Sequence, residues 1–106
     1  MEKQTLTSHE LKKQNRSNVY QYIYQSRCAS RPELAAALQM SLPTLSQNLS
    51  ELEQEQLIEK AGFKDSTGGR KAQLLTCNSL ARIAVGSEIL KEFIRVCAID
   101  LYGTVI

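Results

Sequence analysis

Two short helices, each opened by a serine and a proline and separated by only three residues, constrain this chain more than any other feature of it. Ser30-Arg31-Pro32-Glu33 sets an N-cap serine, a first-turn proline and a returning glutamate in order. Leu34, Ala35 and Leu38 follow as one apolar face, which predicts a helix ending near Gln39. Ser41 can cap the next helix. Pro43 falls in its first turn, where a missing N–H has no intrahelical partner to lose. Leu42, Leu45, Leu49 and Leu52 are then spaced three, four and three apart, a single stripe on a helix running to about Glu55. Only Gln39 to Ser41 joins the two helices. A connection that short forces a steep crossing, the helix-turn-helix arrangement.

Upstream, Thr7 and Glu10 have capping-box spacing. Leu11, Val19, Tyr20, Ile23 and Tyr24 recur at helical spacing and predict one helix over about residues 8–26, with room for a kink or break near Asn15. Downstream, Leu57-Ile58-Glu59-Lys60 reads as a short strand. Residues 62–69 form a polar, glycine-rich loop, and 70–77 return as a strand around Leu74 and Leu75. Strand, loop and strand after a third helix make a β-hairpin wing. From Ala81 the character changes. Ile83, Val85, Ile89 and Leu90 suggest one strand and Phe93 to Leu101 another, with Tyr102-Gly103 turning into a third over Thr104 to Ile106. The expected fold class is therefore α+β, mainly α. A winged helix-turn-helix of three helices and a wing occupies residues 1–77, and a short β segment occupies 78–106. An open-edged hairpin is a poor domain by itself, so 78–106 reads as the start of a larger domain or a remnant of one.

The polar residues of the third helix suggest what such a domain would bind. A major groove admits one helix, and side chains near that helix's N-terminus reach the base edges. Thr44, Ser46, Gln47, Asn48 and Ser50 all donate and accept, and no acidic residue intervenes before Glu51. Gln47 can bond adenine bidentately, and the Thr44 methyl can pack on a thymine methyl. The expected DNA-binding set is Thr44, Ser46 and Gln47 on bases, with Pro43 and Asn48 beside them on the same helix. Arg16, Arg31, Ser41, Arg70 and Lys71 would hold phosphates. Gly69 belongs to the wing tip, where Gly68-Gly69-Arg70-Lys71 lets the backbone turn sharply beside a sugar-phosphate chain and offers an arginine to a narrow minor groove.

Charge placement matters more here than charge total. The 106 residues carry a net charge of only +2. Glu51, Glu53, Glu55 and Glu59 cluster beyond the proposed reading end, while Lys12, Lys13, Arg16, Arg27 and Arg31 lie on the first two helices. A near-neutral chain can thus still present one basic side to phosphates. The alternative reading is a winged helix that binds protein and makes no DNA contacts. Catalysis is not expected: with His9 as the sole histidine there is no Ser-His-Asp set, no cysteine with a base and no metal cluster. Cys28, Cys77 and Cys97 are odd in number, far apart and expected to be reduced thiols of a cytoplasmic protein. No cofactor is expected. Met1-Glu2-Lys3-Gln4-Thr5 is polar, with no apolar h-region to suggest a signal peptide, and no membrane contact is expected, since no stretch approaches the ~18 apolar residues of a span.

Taken in order, Asn15-Arg16, Ser30-Arg31-Pro32-Glu33-Leu34-Ala35, Thr44-Leu45-Ser46, Leu52, Leu57-Ile58 and Gly68-Gly69-Arg70-Lys71 resemble the N-terminal region of ROK-family transcriptional repressors. Asp100-Leu101-Tyr102-Gly103 resembles the family's D-L-x-G turn between the second and third strands of a sugar-kinase-like domain. The resemblance implies a bacterial repressor of sugar-utilisation genes, acting on double-stranded operator DNA as a homodimer or larger oligomer. It also implies a sugar inducer site in the remainder of the kinase-like domain, outside this sequence, so that residues 78–106 are the opening strands of a truncated domain. Four positions depart from the pattern. Gln39 and Gln56 stand where the family has glycine, Asn48 where a residue is usually apolar, and Ala72 where the wing has proline. If Gln39 or Gln56 needs positive φ, each costs about 1 kcal/mol relative to glycine. The family's phosphate loop has no counterpart in Gly86-Ser87-Glu88-Ile89-Leu90-Lys91-Glu92, whose carboxylates would repel a polyphosphate.

Overall fold

A computed structural model describes residues 7–64 and 72–106. Helix α1 (Ser8–Ser26) begins with the capping box read from the sequence: the Thr7 hydroxyl accepts from the Glu10 N–H at 3.1 Å, and the Glu10 carboxylate accepts from the Thr7 N–H at 3.4 Å. The helix runs through Asn15 without a break. Gln14 and Asn18, one turn apart, brace that polar stretch with a 2.9 Å side-chain bond. Val19 and Ile23 are fully buried, whereas Leu11 is half exposed because the first turns of α1 project past the core.

Strand β1 (Cys28–Ser30) was not expected. It is three residues long, has no alternating pattern, and exists because it pairs with β3 (Ala72–Cys77) as Cys28↔Thr76, Ala29↔Leu75 and Ser30↔Leu74. Helices α2 (Arg31–Leu38) and α3 (Leu42–Gln54) follow, with Ser30 and Ser41 as their caps. Strand β2 (Ile58–Lys64) pairs antiparallel with β3, so the sheet order is β1-β3-β2. β2 continues past the expected end at Lys60. Its register slips between Lys60 and Gly62, where Gly62 takes φ 108°, a conformation glycine adopts without strain. The start of the expected glycine-rich loop is therefore strand. The central core joins Val19, Ile23, Ala29, Leu34, Leu45, Leu49, Leu52, Ile58, Leu75 and Cys77 from all three helices and all three strands. This is a winged helix-turn-helix, with β2 and β3 as the strands of the wing.

Strands β4 (Ala84–Ile89) and β5 (Ile94–Ile99) form a second, separate hairpin, in register from Ala84↔Ile99 to Ile89↔Ile94. The expected third strand is reduced to a single bridge, Ile99↔Val105. The chain returns to the helical body at the turn before it. The Asp100 carboxylate accepts from the Tyr102 and Thr104 N–H groups at 2.9 Å each, and Gly103 takes φ 81°. Tyr102 then stacks on Tyr24, ring centroids 4.9 Å apart, with the Arg27 guanidinium 3.7 Å from its centroid. The Tyr24 hydroxyl donates to the Leu101 carbonyl at 2.8 Å. The radius of gyration, 18.2 Å, exceeds the ~13 Å of a compact domain this long, as a projecting hairpin requires.

Candidate nucleic-acid interface

The presentation of α3 depends on the three residues before it. Gln39 closes α2 in the left-handed region, φ 52° and ψ 48°, and its N–H and that of Met40 both turn back to the Ala35 carbonyl. That left-handed step redirects the chain into the Ser41 cap. At the other end, Gln56 takes φ 59°, and the Leu57 N–H returns to Leu52 at 3.0 Å. Both glutamines therefore occupy positions that suit glycine, at about 1 kcal/mol each.

Leu45, Leu49 and Leu52 point inward, and Ser41, Pro43, Thr44, Ser46, Gln47 and Ser50 stand exposed on α3. The Ser41 hydroxyl accepts from the Thr44 N–H at 3.4 Å and donates to the Thr44 hydroxyl at 2.9 Å. Arg31 is exposed at the first position of α2. It is set there by Ser30, whose hydroxyl accepts from the Glu33 N–H, and by Glu33, whose carboxylate accepts from Tyr22 at 3.1 Å.

Two expected contacts are corrected. Asn48 is only 3% exposed. Its amide nitrogen donates to the Thr44 carbonyl at 3.1 Å and lies 3.7 Å from the Met40 sulfur, so the side chain packs inward, against the helix and the core. Its spacing, three residues after Leu45 and four before Leu52, puts it on the core side of α3. Arg16 is the other. Because α1 packs along α3, its guanidinium meets Glu55 at 3.0 Å and Glu51 at 3.8 Å, and the neighbouring Lys12 reaches Glu51 at 3.1 Å. The acidic end of α3 thus engages these α1 cations within the molecule. Such exposed pairs are worth only about 0–1 kcal/mol; in this structure Arg16 is paired with Glu51 and Glu55 instead of standing free for a phosphate. Gly69, Arg70 and Lys71 lie outside the described residues, on the segment joining β2 to β3.

Sequence reasoning also placed Leu42 in the apolar stripe. It is instead 58% exposed, at the leading residue of α3. Met40, half-buried against the core, fills the end of the stripe. The left-handed turn at Gln39, immediately before Met40, is not visible in the spacing of leucines.

No family model matches the chain. Among characterised proteins it is similar to the xylose repressor of Bacillus spizizenii, 28% identical over 96 residues, covering 91% of this chain and 25% of the repressor. The xylose repressor of Bacillus subtilis is 27% identical over the same share of each. Among solved structures, a ROK family transcriptional regulator, described as a homologue of the Escherichia coli MLC protein, superposes with a TM-score of 0.63. The identity is 22%, over 91% of this chain and 24% of that one. The chain spans about a quarter of the length of the relatives it matches. The likeness to the solved regulator establishes the fold. Among the described residues, no helix is long and apolar enough to cross a membrane.

Proposed function

We propose that this chain is the DNA-reading part of a transcriptional repressor of sugar-utilisation genes. The observation that carries the reading is the exposed polar face of α3, Thr44, Ser46 and Gln47, set at a fixed angle by a buried leucine stripe. That face stands in the same fold as a solved transcriptional regulator and in a sequence similar to two xylose repressors. Residues 1–77 are the DNA-binding module, and 78–106 are the opening strands of a sugar-kinase-like domain. The role is binding, not catalysis. An inducer would act through the remainder of that domain, and a homodimer would set two readers on half-sites about 34–36 Å apart.

In this reading α3 enters the major groove, and Thr44, Ser46 and Gln47 contact base edges. Arg31 and Ser41 hold phosphates on one side, while Gly69, Arg70 and Lys71 do so at the wing. Pro43 preorganises the first turn with its fixed φ. The test is fluorescence anisotropy against the duplex upstream of the chain's own gene and a shuffled duplex, over a salt series. Tighter binding to the native duplex with a steep salt slope supports the reading. Absence of binding to either at low salt overturns it in favour of a protein-binding winged helix. Gln47→Ala should cost about 1–3 kcal/mol on the preferred sequence alone, and Lys71→Ala should weaken all sequences alike and flatten the salt slope by about one unit.

A further inference from the structure

The leading turn of α3 holds a large apolar side chain where the spacing of leucines put a core residue. Leu42 is 58% exposed, while Leu45, Leu49 and Leu52 on the same stripe are 2% exposed or less. Single exposed leucines are ordinary on protein surfaces. This one is informative because of its position. It follows the cap of the helix whose N-terminal residues would reach base edges.

What surrounds Leu42 narrows its use. The first turn, Leu42-Pro43-Thr44-Leu45, contains no charged residue, so it brings no phosphate attraction of its own. With the Ser41 cap before it, it offers apolar surface and two hydroxyls. The Ser41 hydroxyl spends its hydrogen on Thr44. The Thr44 hydroxyl, having accepted that bond, keeps its own hydrogen to donate outward. An apolar contact and an adjacent donor match one base edge in the major groove. Thymine alone presents a methyl there, next to the O4 acceptor; cytosine presents an amine, which is a donor.

We propose that Leu42 is a specificity-determining residue that packs on the C5-methyl of a thymine, with the Thr44 hydroxyl donating to the base edge beside it. This inference rests on the DNA-reading role proposed above and names the base that the leading turn selects. Because Leu42 lies outside the core, its truncation leaves the fold in place, which far-UV circular dichroism checks directly.

The experiment begins by selecting duplexes from a random library with this chain at low salt. Each thymine of the enriched duplex is then replaced singly by deoxyuridine, which lacks only the methyl. One such replacement should weaken binding of the unaltered chain about 3- to 10-fold, the scale of one buried methyl or slightly more. Leu42→Ala should bind the thymine duplex more weakly by a similar factor and be indifferent to that replacement. Leu42→Met should keep the sensitivity. If Leu42→Ala loses as much as the unaltered chain on the same replacement, or no replacement matters, the Leu42 assignment falls while sequence-specific binding stands. If no duplex is enriched and binding shows no salt dependence, the DNA-reading role falls and this inference with it.

Discussion

Two β-hairpins of this chain are built from similar apolar residues and meet opposite environments. In the wing, β3 is flanked by β1 and β2 and covered by helices, so Leu75 is 1% exposed and Cys77 is buried. In the second hairpin, Val85, Ile89, Ile94 and Val96 share one face, yet each is 64 to 81% exposed. Strand propensity and pairing register are as good in the second as in the first. The difference is the third strand and the helical layer. An isolated two-stranded hairpin has nothing to bury its apolar face against, and burial follows from what packs on a strand more than from its composition.

The sharpest way to break this comparison is to truncate one apolar side chain in each hairpin. Leu75→Ala removes a fully packed side chain and should destabilise the fold by about 2–5 kcal/mol. Val96→Ala should change stability by no more than about 0.5 kcal/mol, since an exposed side chain has little burial to lose. Urea unfolding followed by far-UV circular dichroism measures both. A Val96→Ala loss as large as that of Leu75→Ala would mean that the second hairpin is covered in solution.

Next in size are the two left-handed glutamines, which hold α3 at its ends. Gln39→Gly and Gln56→Gly should each raise stability by about 1 kcal/mol at most, because glycine adopts positive φ without a Cβ clash while losing more entropy on folding. The two sites lie beyond opposite ends of the 13-residue α3, so the gains should add. The same two changes in a Val96→Ala background should give the same increments. A different increment there would show that the second hairpin and the body do not behave as separate units.

These positions also show what the sequence could and could not disclose. Caps are local chemistry, so Thr7, Ser30 and Ser41 and the helix spans they open were readable to within a residue or two. Left-handed backbone at Gln39 and Gln56 was only a conditional expectation, raised by the family's glycines at those positions and not by spacing; the structure shows it at both. Partners distant along the chain were not readable. β1 exists only through Thr76, Leu75 and Leu74. No spacing rule shows that α1 lies against Glu51 and Glu55, so the pairing of Arg16 with them has no local sequence signal. Asn48 was readable, since its spacing from Leu45 and Leu52 sets it on the core side, but Leu42 was not: it lies on the same stripe, yet Met40 packs against the core and Leu42 is exposed.

The smallest expected effect lies where the second hairpin's return meets the body. The Tyr102 hydroxyl is hidden from solvent beside the Cys77 thiol and the Thr76 side chain, and makes no hydrogen bond of good geometry with either. A hidden hydroxyl that makes no bond contributes little or costs something, so Tyr102→Phe should be neutral or stabilising by a few tenths of a kcal/mol at neutral pH. The variant keeps the ring that stacks on Tyr24 and lies under Arg27. Alkaline pH magnifies the difference. Burial, then the Cys77 thiol, raises the Tyr102 pKa; the same causes push Tyr20 up to about 12, and burial raises Cys77 from 9.0. Between the unfolded values near 9 to 10 and the raised folded values, the folded state holds more protons than the unfolded one. Stability should therefore be fully present below about pH 9 and fall as pH rises towards 12. In Tyr102→Phe one of the three titrating groups is gone, so that fall should be shallower. Urea midpoints at pH 7, 9, 10 and 11 test both halves. A clear loss at pH 7 would mean that the Tyr102 oxygen makes a hydrogen bond in solution, and an unchanged alkaline slope would mean that Tyr102 does not titrate with the other two groups.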